Sequence, residues 1–201
     1  MEPDIEEQGP KPVNSRRRFI LTSLPALAGL ALWQWRKPQP AEARGVRTGA
    51  SKQVRIVEFS DAGVRQATVT VPKVVKTDDQ WRRQLGPAVF NIAREGGTEI
   101  AFTGKYWNLH ENGLFRCICC DTALYSSKTK FNSGTGWPSF WAPIAKENIE
   151  ELSDGTLGTE RTAISCRRCD AHLGHVFNDG PRPTGLRYCM NSAALRFVKL
   201  A

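Results

Sequence analysis

No part of this 201-residue chain is apolar for the 20 or so consecutive residues that a membrane-spanning helix needs. The longest apolar run, Ile20 to Leu32, is broken by Thr22, Ser23, Pro25 and Gly29. The chain also lacks an internal repeat beyond two short cysteine motifs. It lacks a basic patch interleaved with aromatics: the net charge is +8, but Arg44, Arg47, Lys52, Arg55, Arg65, Lys73 and Lys76 are dispersed. That distribution fits a solvated surface and gives no footing for base stacking, so no nucleic-acid partner is expected. The length allows one domain with a real core, plus extensions.

What is present at the start is a targeting pattern. Ser15-Arg16-Arg17-Arg18-Phe19-Ile20 leads into the broken apolar run, and Ala41-Glu42-Ala43 follows. A basic segment, a short apolar segment and a small-x-small site make a secretory signal, here over residues 1–43. The arginine pair with Phe19 just beyond it resembles a twin-arginine signal, which exports a protein already folded. The expected location is the periplasm; the alternative is an uncleaved anchor.

Residues 44–76 read as a linker followed by a hairpin. Val54 to Phe59 and Gln66 to Val71 are β-branched runs separated by Ser60-Asp61-Ala62-Gly63. Thr77-Asp78-Asp79-Gln80 opens a short helix through Trp81 and Leu85, which Gly86-Pro87 interrupts. A second helix over Ala88 to Arg94 stops at Gly96-Gly97. Beyond Phe102 the pattern changes to short strands between turns: Leu114 to Cys117, Ala123 to Ser126, Trp137 to Trp141, Arg161 to Cys166, His172 to Phe177, Arg187 to Met190 and Ala193 to Leu200. This predicts a mainly β fold of antiparallel sheet with short N-terminal helices.

Four of the six cysteines form two Cys-x-x-Cys pairs, Cys117/Cys120 and Cys166/Cys169, each at a strand end followed by a turn. Two such knuckles place four thiolates around one tetrahedral ion, zinc by preference and iron as a lesser alternative. The long interval between the pairs makes the ion a structural staple, with no open position for substrate. Disulfides are the competing reading in an oxidising compartment.

Cys189 stands apart, in Arg187-Tyr188-Cys189-Met190-Asn191. In a strand, Arg187, Cys189 and Asn191 share one face, and a nearby guanidinium favours the nucleophilic thiolate. His172 and His175 follow the second knuckle and can move protons; hydrogen bonding or extra metal ligation are their alternative roles. Trp137, after Gly134-Thr135-Gly136, either packs in the core or lines an apolar pocket. Cys119 belongs to neither group.

Taken together, Glu95-Gly96-Gly97-Thr98-Glu99, Phe102 through Trp107, both cysteine pairs, Lys130 through Phe140, Asp170 through Phe177 and Pro183 through Ser192 resemble the methionine-R-sulfoxide reductases, the B type of peptide methionine sulfoxide reductase, over about residues 77–200. The resemblance implies an oxidoreductase domain over 77–201, built of small coiled antiparallel sheets and stapled by zinc at Cys117, Cys120, Cys166 and Cys169. It implies that Cys189 attacks the sulfoxide sulfur of free or protein-bound methionine sulfoxide and becomes a sulfenic acid. It implies that Trp137 packs on the substrate methyl group, that His172, His175, Asp179 and Asn191 handle the sulfoxide oxygen, and that Arg187 supports the thiolate. Many members carry a resolving cysteine where this chain has Thr135. The oxidised Cys189 is therefore expected to be reduced by an external thioredoxin-like protein, with Cys119 as a possible internal substitute. A monomer that repairs exported proteins under oxidative stress is the resulting expectation. The rivals are a zinc-ribbon-like binding module with Cys189 inert, and a thiol redox sensor without a sulfoxide substrate.

Overall fold

The computed structural model describes residues 52–154 and 161–200. The export signal read over residues 1–43 lies outside the described residues. In chain order the elements are β1 (Gln53–Phe59), β2 (Arg65–Pro72), α1 (Asp78–Leu85), α2 (Pro87–Glu95), β3 (Gly113–Cys117), β4 (Ala123–Ser126), β5 (Lys130–Phe131), β6 (Ser139–Phe140), β7 (Ile149–Asp154), β8 (Arg161–Cys166), β9 (His172–Phe177), β10 (Arg187–Met190) and β11 (Leu195–Lys199).

The expected hairpin forms from β1 and β2, paired from Gln53 with Pro72 to Phe59 with Arg65. Two strands alone are marginal in water. Here a buried side-chain amide docks them. Asn148 accepts from Val57 N at 2.7 Å and donates to Val57 O at 2.9 Å and to Ala123 O at 2.7 Å, while Ile56 and Val57 turn into the core.

The helices begin and end for local reasons. Thr77 and Gln80 cap α1 reciprocally, and Gly86 closes it at φ +73. Pro87 then opens α2, where a missing N–H costs nothing, and Gly96 ends it in the left-handed conformation. Trp81, Phe90 and Ala93 are the buried residues of the pair.

The remaining strands form two antiparallel sheets. One runs β11-β3-β4, the other β5-β6-β10-β9-β8-β7. Between them lies an aromatic core in which Tyr125 stacks on Phe140 at 4.4 Å and Phe115 meets Phe140 edge-on at 4.9 Å between ring centroids. The mainly β architecture with two short helices agrees with the sequence reading. Three details differ. The strand expected over Trp137 to Trp141 shrinks to β6, because Pro138 has no N–H to give a ladder. Residues Ser192–Ala194 form a 3-10 turn before β11. Strand β7 was not read from the sequence, since Glu151, Leu152 and Ser153 are exposed on a sheet edge.

Candidate active site

Strand β10 lies between β6 and β9, and its register sets the site. Cys189 stands opposite His175 on one side and Ser139 on the other. Directly opposed residues of an antiparallel pair point to the same face with Cβ atoms about 5 Å apart. The sheet therefore delivers a thiol, an imidazole and a hydroxyl to one spot. Gly174, opposite Met190, makes this approach possible: at φ +153, an added Cβ would overlap the Cys189 carbonyl oxygen.

Cys189, His175, Trp137 and Asn191 line one pocket of about 130 Å³, together with Thr98, Arg161, Gly174, Phe177 and Met190. The segment after α2 holds it in shape. Trp137 Nε1 donates to Glu99 O at 3.1 Å, which fixes the indole at the rim. The Glu99 carboxylate accepts from Ser192 N at 2.6 Å and Ala193 N at 3.0 Å, capping the 3-10 turn just past Cys189. Glu99 N donates to Asn191 Oδ1 at 3.0 Å, and Asn191 Nδ2 donates to Leu173 O at 3.3 Å. The amide of Asn191 is thus engaged by the backbone on the pocket wall.

A chain of hydroxyls backs the thiol. Ser133 Oγ lies 2.8 Å from Thr135 Oγ1 and 2.7 Å from Ser139 Oγ, and Thr135 Oγ1 lies 3.9 Å from Cys189 Sγ. Burial pushes the Cys189 thiol above its ordinary pKa, while Thr135, Arg187 and Ser139 pull it down without cancelling that rise. The guanidinium acts in the direction expected, but desolvation wins, so the resting group at neutral pH is the thiol. Arg187 is itself held by Asp179, whose carboxylate accepts at 2.9 and 2.8 Å. That clamp holds the Asp179 carboxyl below its usual pKa. Asp179 and Arg187 do not line the pocket; they form a support behind the sulfur.

His175 Nε2 lies 2.8 Å from Asp154 Oδ2, which also lies 3.3 Å from Arg161 Nη2. His172 sits behind, its ring centroid 5.3 Å from that of His175. Burial and the neighbouring His175 lower its pKa to about 4, so it is neutral at physiological pH. Its Nε2 is buried without a hydrogen-bond partner among the described residues. Glu99, Asp154 and Arg161 were not singled out from the sequence. Their partners lie far along the chain, and no local pattern signals a carboxylate that caps a turn 93 residues away.

The two cysteine knuckles are built alike. Cys117 N donates to Thr122 O at 2.8 Å and Asp121 N to Cys117 O at 2.9 Å; Cys166 N donates to Ala171 O and Asp170 N to Cys166 O, both at 2.9 Å. Asp121 and Asp170 take φ of +64 and +58, a conformation aspartate tolerates better than most residues. The four sulfurs lie within 4.8 Å of one another, with Cys117 to Cys169 at 3.6 Å and Cys120 to Cys166 at 3.5 Å. Disulfide sulfurs would be about 2.05 Å apart, whereas the edge of a tetrahedron with 2.3 Å metal–sulfur bonds is about 3.8 Å. All six cysteines are free thiols. The protons are unevenly shared: Cys117 is pushed up by the sulfurs of Cys119, Cys120, Cys166 and Cys169 and by burial, while Cys120 is held down by the hydrogen bonds of Cys117, Cys166 and Cys169. Ionising all four, three of them buried and Cys120 half-buried, needs a cation among them, so the donor set fits a closed structural metal site. Cys119 is 5% exposed and packed in the core beside this cluster, and it does not line the Cys189 pocket.

The SelR domain family matches residues 85–199. The chain is 57% identical over 122 residues, 61% of its length and 92% of the relative's, to a peptide methionine sulfoxide reductase MsrB of Thiobacillus denitrificans. It is 56% identical over 124 residues, 62% of its length and 91% of the relative's, to that of Synechococcus sp. (strain RCC307). Against the Herminiimonas arsenicoxydans protein of the same name it is 52% identical over 125 residues, again 62% and 91%. A cysteine–histidine pocket on a sulfur-stapled β scaffold, with these matches along most of the relatives' length, makes the chain a member of the peptide methionine sulfoxide reductase MsrB family and an oxidoreductase that reduces methionine sulfoxide.

Proposed function

We propose that this reductase acts on the R epimer of methionine sulfoxide, free or in polypeptides, with Cys189 as the nucleophile. The Cys189 sulfur attacks the sulfoxide sulfur while the oxygen is protonated. The methionine sulfur–oxygen bond breaks, methionine leaves as the thioether, and the oxygen ends on Cys189 as a sulfenic acid. The methionine sulfur gains two electrons and the cysteine sulfur gives them up. The observation that carries this reading is the direct opposition of Cys189 and His175 in a small pocket whose rim is Trp137. A thiol whose pKa is raised by burial brings its own proton, and His175 is placed to pass it to the departing oxygen. Nε2–H donation to Asp154 would leave the lone pair on Nδ1 and fix the ring. Trp137 supplies an apolar wall for the substrate methyl group.

Zinc is the proposed ion at Cys117, Cys120, Cys166 and Cys169, where it supplies no catalytic chemistry but ties two distant turns together. A second, external thiol reduces the sulfenic acid: it forms a mixed disulfide with Cys189, releasing water, and a further thiol of the same donor frees Cys189. Thr135 beside Cys189 and the buried place of Cys119 support this route. The Arg16-Arg17-Arg18-Phe19 start and the Ala41-Glu42-Ala43 site support export in the folded state to the periplasm, where the enzyme works as a monomer repairing oxidised proteins.

Mass spectrometry of methionine sulfoxide incubated with the zinc-loaded protein and a dithiol tests the reading. Methionine should form with wild type and fall at least about a thousandfold in Cys189→Ser; equal product from the variant would sink it. Cys119→Ser should recycle normally with a thioredoxin-type donor, and loss of recycling after an intact first turnover would assign resolution to Cys119 instead.

A further inference from the structure

The pocket around Cys189 is large enough for one side chain and little more, so a polypeptide substrate must lay its neighbouring residues on the rim. Exposed apolar side chains follow directly on the segment that holds Trp137. Among the described residues the large exposed hydrophobics are few, and two of them, Ile100 at 75% and Phe102 at 54% exposure, lie three residues or fewer beyond Glu99, which pins Trp137.

Phe102 is held there by the backbone. Its φ is +66, a left-handed conformation that a bulky residue rarely adopts. Phe102 N donates to Gly136 O at 2.8 Å, one residue before Trp137, and its ring lies so close to Gly136 that a Cβ there would come within 2.7 Å of it. The ring meets Trp107 edge-on at 5.3 Å. The Ile100 carbonyl accepts from both Thr103 N at 3.3 Å and Thr103 Oγ1 at 2.8 Å, which fixes the intervening turn. The braced turn packs one edge of the Phe102 ring on Trp107 and leaves the rest of it, with Ile100, in water beside the loop that carries Trp137.

We infer that Ile100 and Phe102 form an apolar lip that binds the residues flanking the oxidised methionine of an extended polypeptide, favouring segments with apolar neighbours. Such segments are those normally buried and exposed by unfolding. The inference rests on the reductase reading of Cys189, because the lip gains its occupant from continuity with that pocket.

Steady-state kinetics on three probes tests it: N-acetylmethionine-R-sulfoxide, a blocked pentapeptide with the sulfoxide between glycines, and the same peptide with leucines beside it. Wild type should give a kcat/KM at least about fivefold higher for the leucine peptide than for the glycine peptide. Ile100→Asn and, separately, Phe102→Asn should bring that ratio towards one, with the N-acetyl substrate changed less than about twofold. Asparagine tolerates positive φ, so Phe102→Asn removes the ring without adding backbone strain. Equal wild-type rates on both peptides, or variants that lose all three substrates in proportion, would overturn the lip. Failure of wild type to reduce any probe would overturn the reductase reading and the lip with it.

Discussion

At the scale of single residues, the site depends on charges that the fold suppresses. Cys189 rests as a thiol because burial outweighs Arg187, Thr135 and Ser139 together. His172 is neutral because burial and His175 lower its pKa to about 4. The second shift has a stability consequence. An unfolded histidine titrates near 6.5, so between that value and about 4 the unfolded chain binds a proton that folded His172 refuses. The stability contributed by neutral His172 is therefore complete above pH 6.5 and is lost progressively as the pH falls towards 4. In urea titrations from pH 7.5 to 4.5, the parent should lose midpoint faster than His172→Gln over that window; parallel losses would contradict the assignment. Residue identity was the most legible level in the sequence. The spacing of the two Cys-x-x-Cys pairs points to a metal staple with disulfides as the alternative, and it sets Cys189 apart, while the nucleophilic role of Cys189 comes from the family resemblance. Asn191 was legible as a neighbour of Cys189 on one strand face and Asp179 only through the family resemblance, but their partners are tertiary: Asn191 is engaged by Glu99 and Leu173, and Asp179 by Arg187.

At the scale of elements, the function lies in a register. Strand β10 serves as the shared neighbour of β6 and β9, and that arrangement sets Cys189 against both Ser139 and His175. Nothing in the local sequence states which strand pairs with which. Hydrophobic alternation and turn residues located β4, β8, β9 and β10 to the residue, yet could not say that β10 is central. Two-residue strands such as β5 and β6 are too short to carry a pattern, and β7 is an edge strand whose exposed Glu151, Leu152 and Ser153 break the alternation. The glycine at 174 is the element-level weak point. Gly174→Ala forces β9 away from the Cys189 carbonyl, and both steric overlap and positive φ oppose it. Its expected cost is about 2–4 kcal/mol in denaturant unfolding, with activity falling further than stability because the Cys189–His175 opposition is disturbed. Wild-type turnover in a folded Gly174→Ala protein would show that the register is not needed at that tolerance.

At the scale of the whole molecule, two knuckles far apart in sequence are joined by four sulfurs beneath sheets that share an aromatic core. Removing a structural ion from such a site leaves buried thiolates that must take up protons and part. Prolonged chelation should release one zinc per chain and lower Tm by about 10 °C or more, with activity lost in step with unfolding. Metal loss with unchanged Tm would reduce the cluster to an accessory. The hairpin at β1 and β2 precedes the matched family segment and is stitched to the body by Asn148. Its sequence gave a hairpin readily, while the docking was invisible, because one asparagine amide 91 residues away does the work of a ladder partner.

The central claim is that the oxygen of methionine sulfoxide passes to Cys189, and a single turnover without reductant tests it most directly. With excess methionine-R-sulfoxide and dimedone present, the account predicts one methionine per chain and one dimedone adduct, located by peptide mass spectrometry at Cys189. Methionine formed without modification of Cys189, or formed equally by Cys189→Ser, would contradict it.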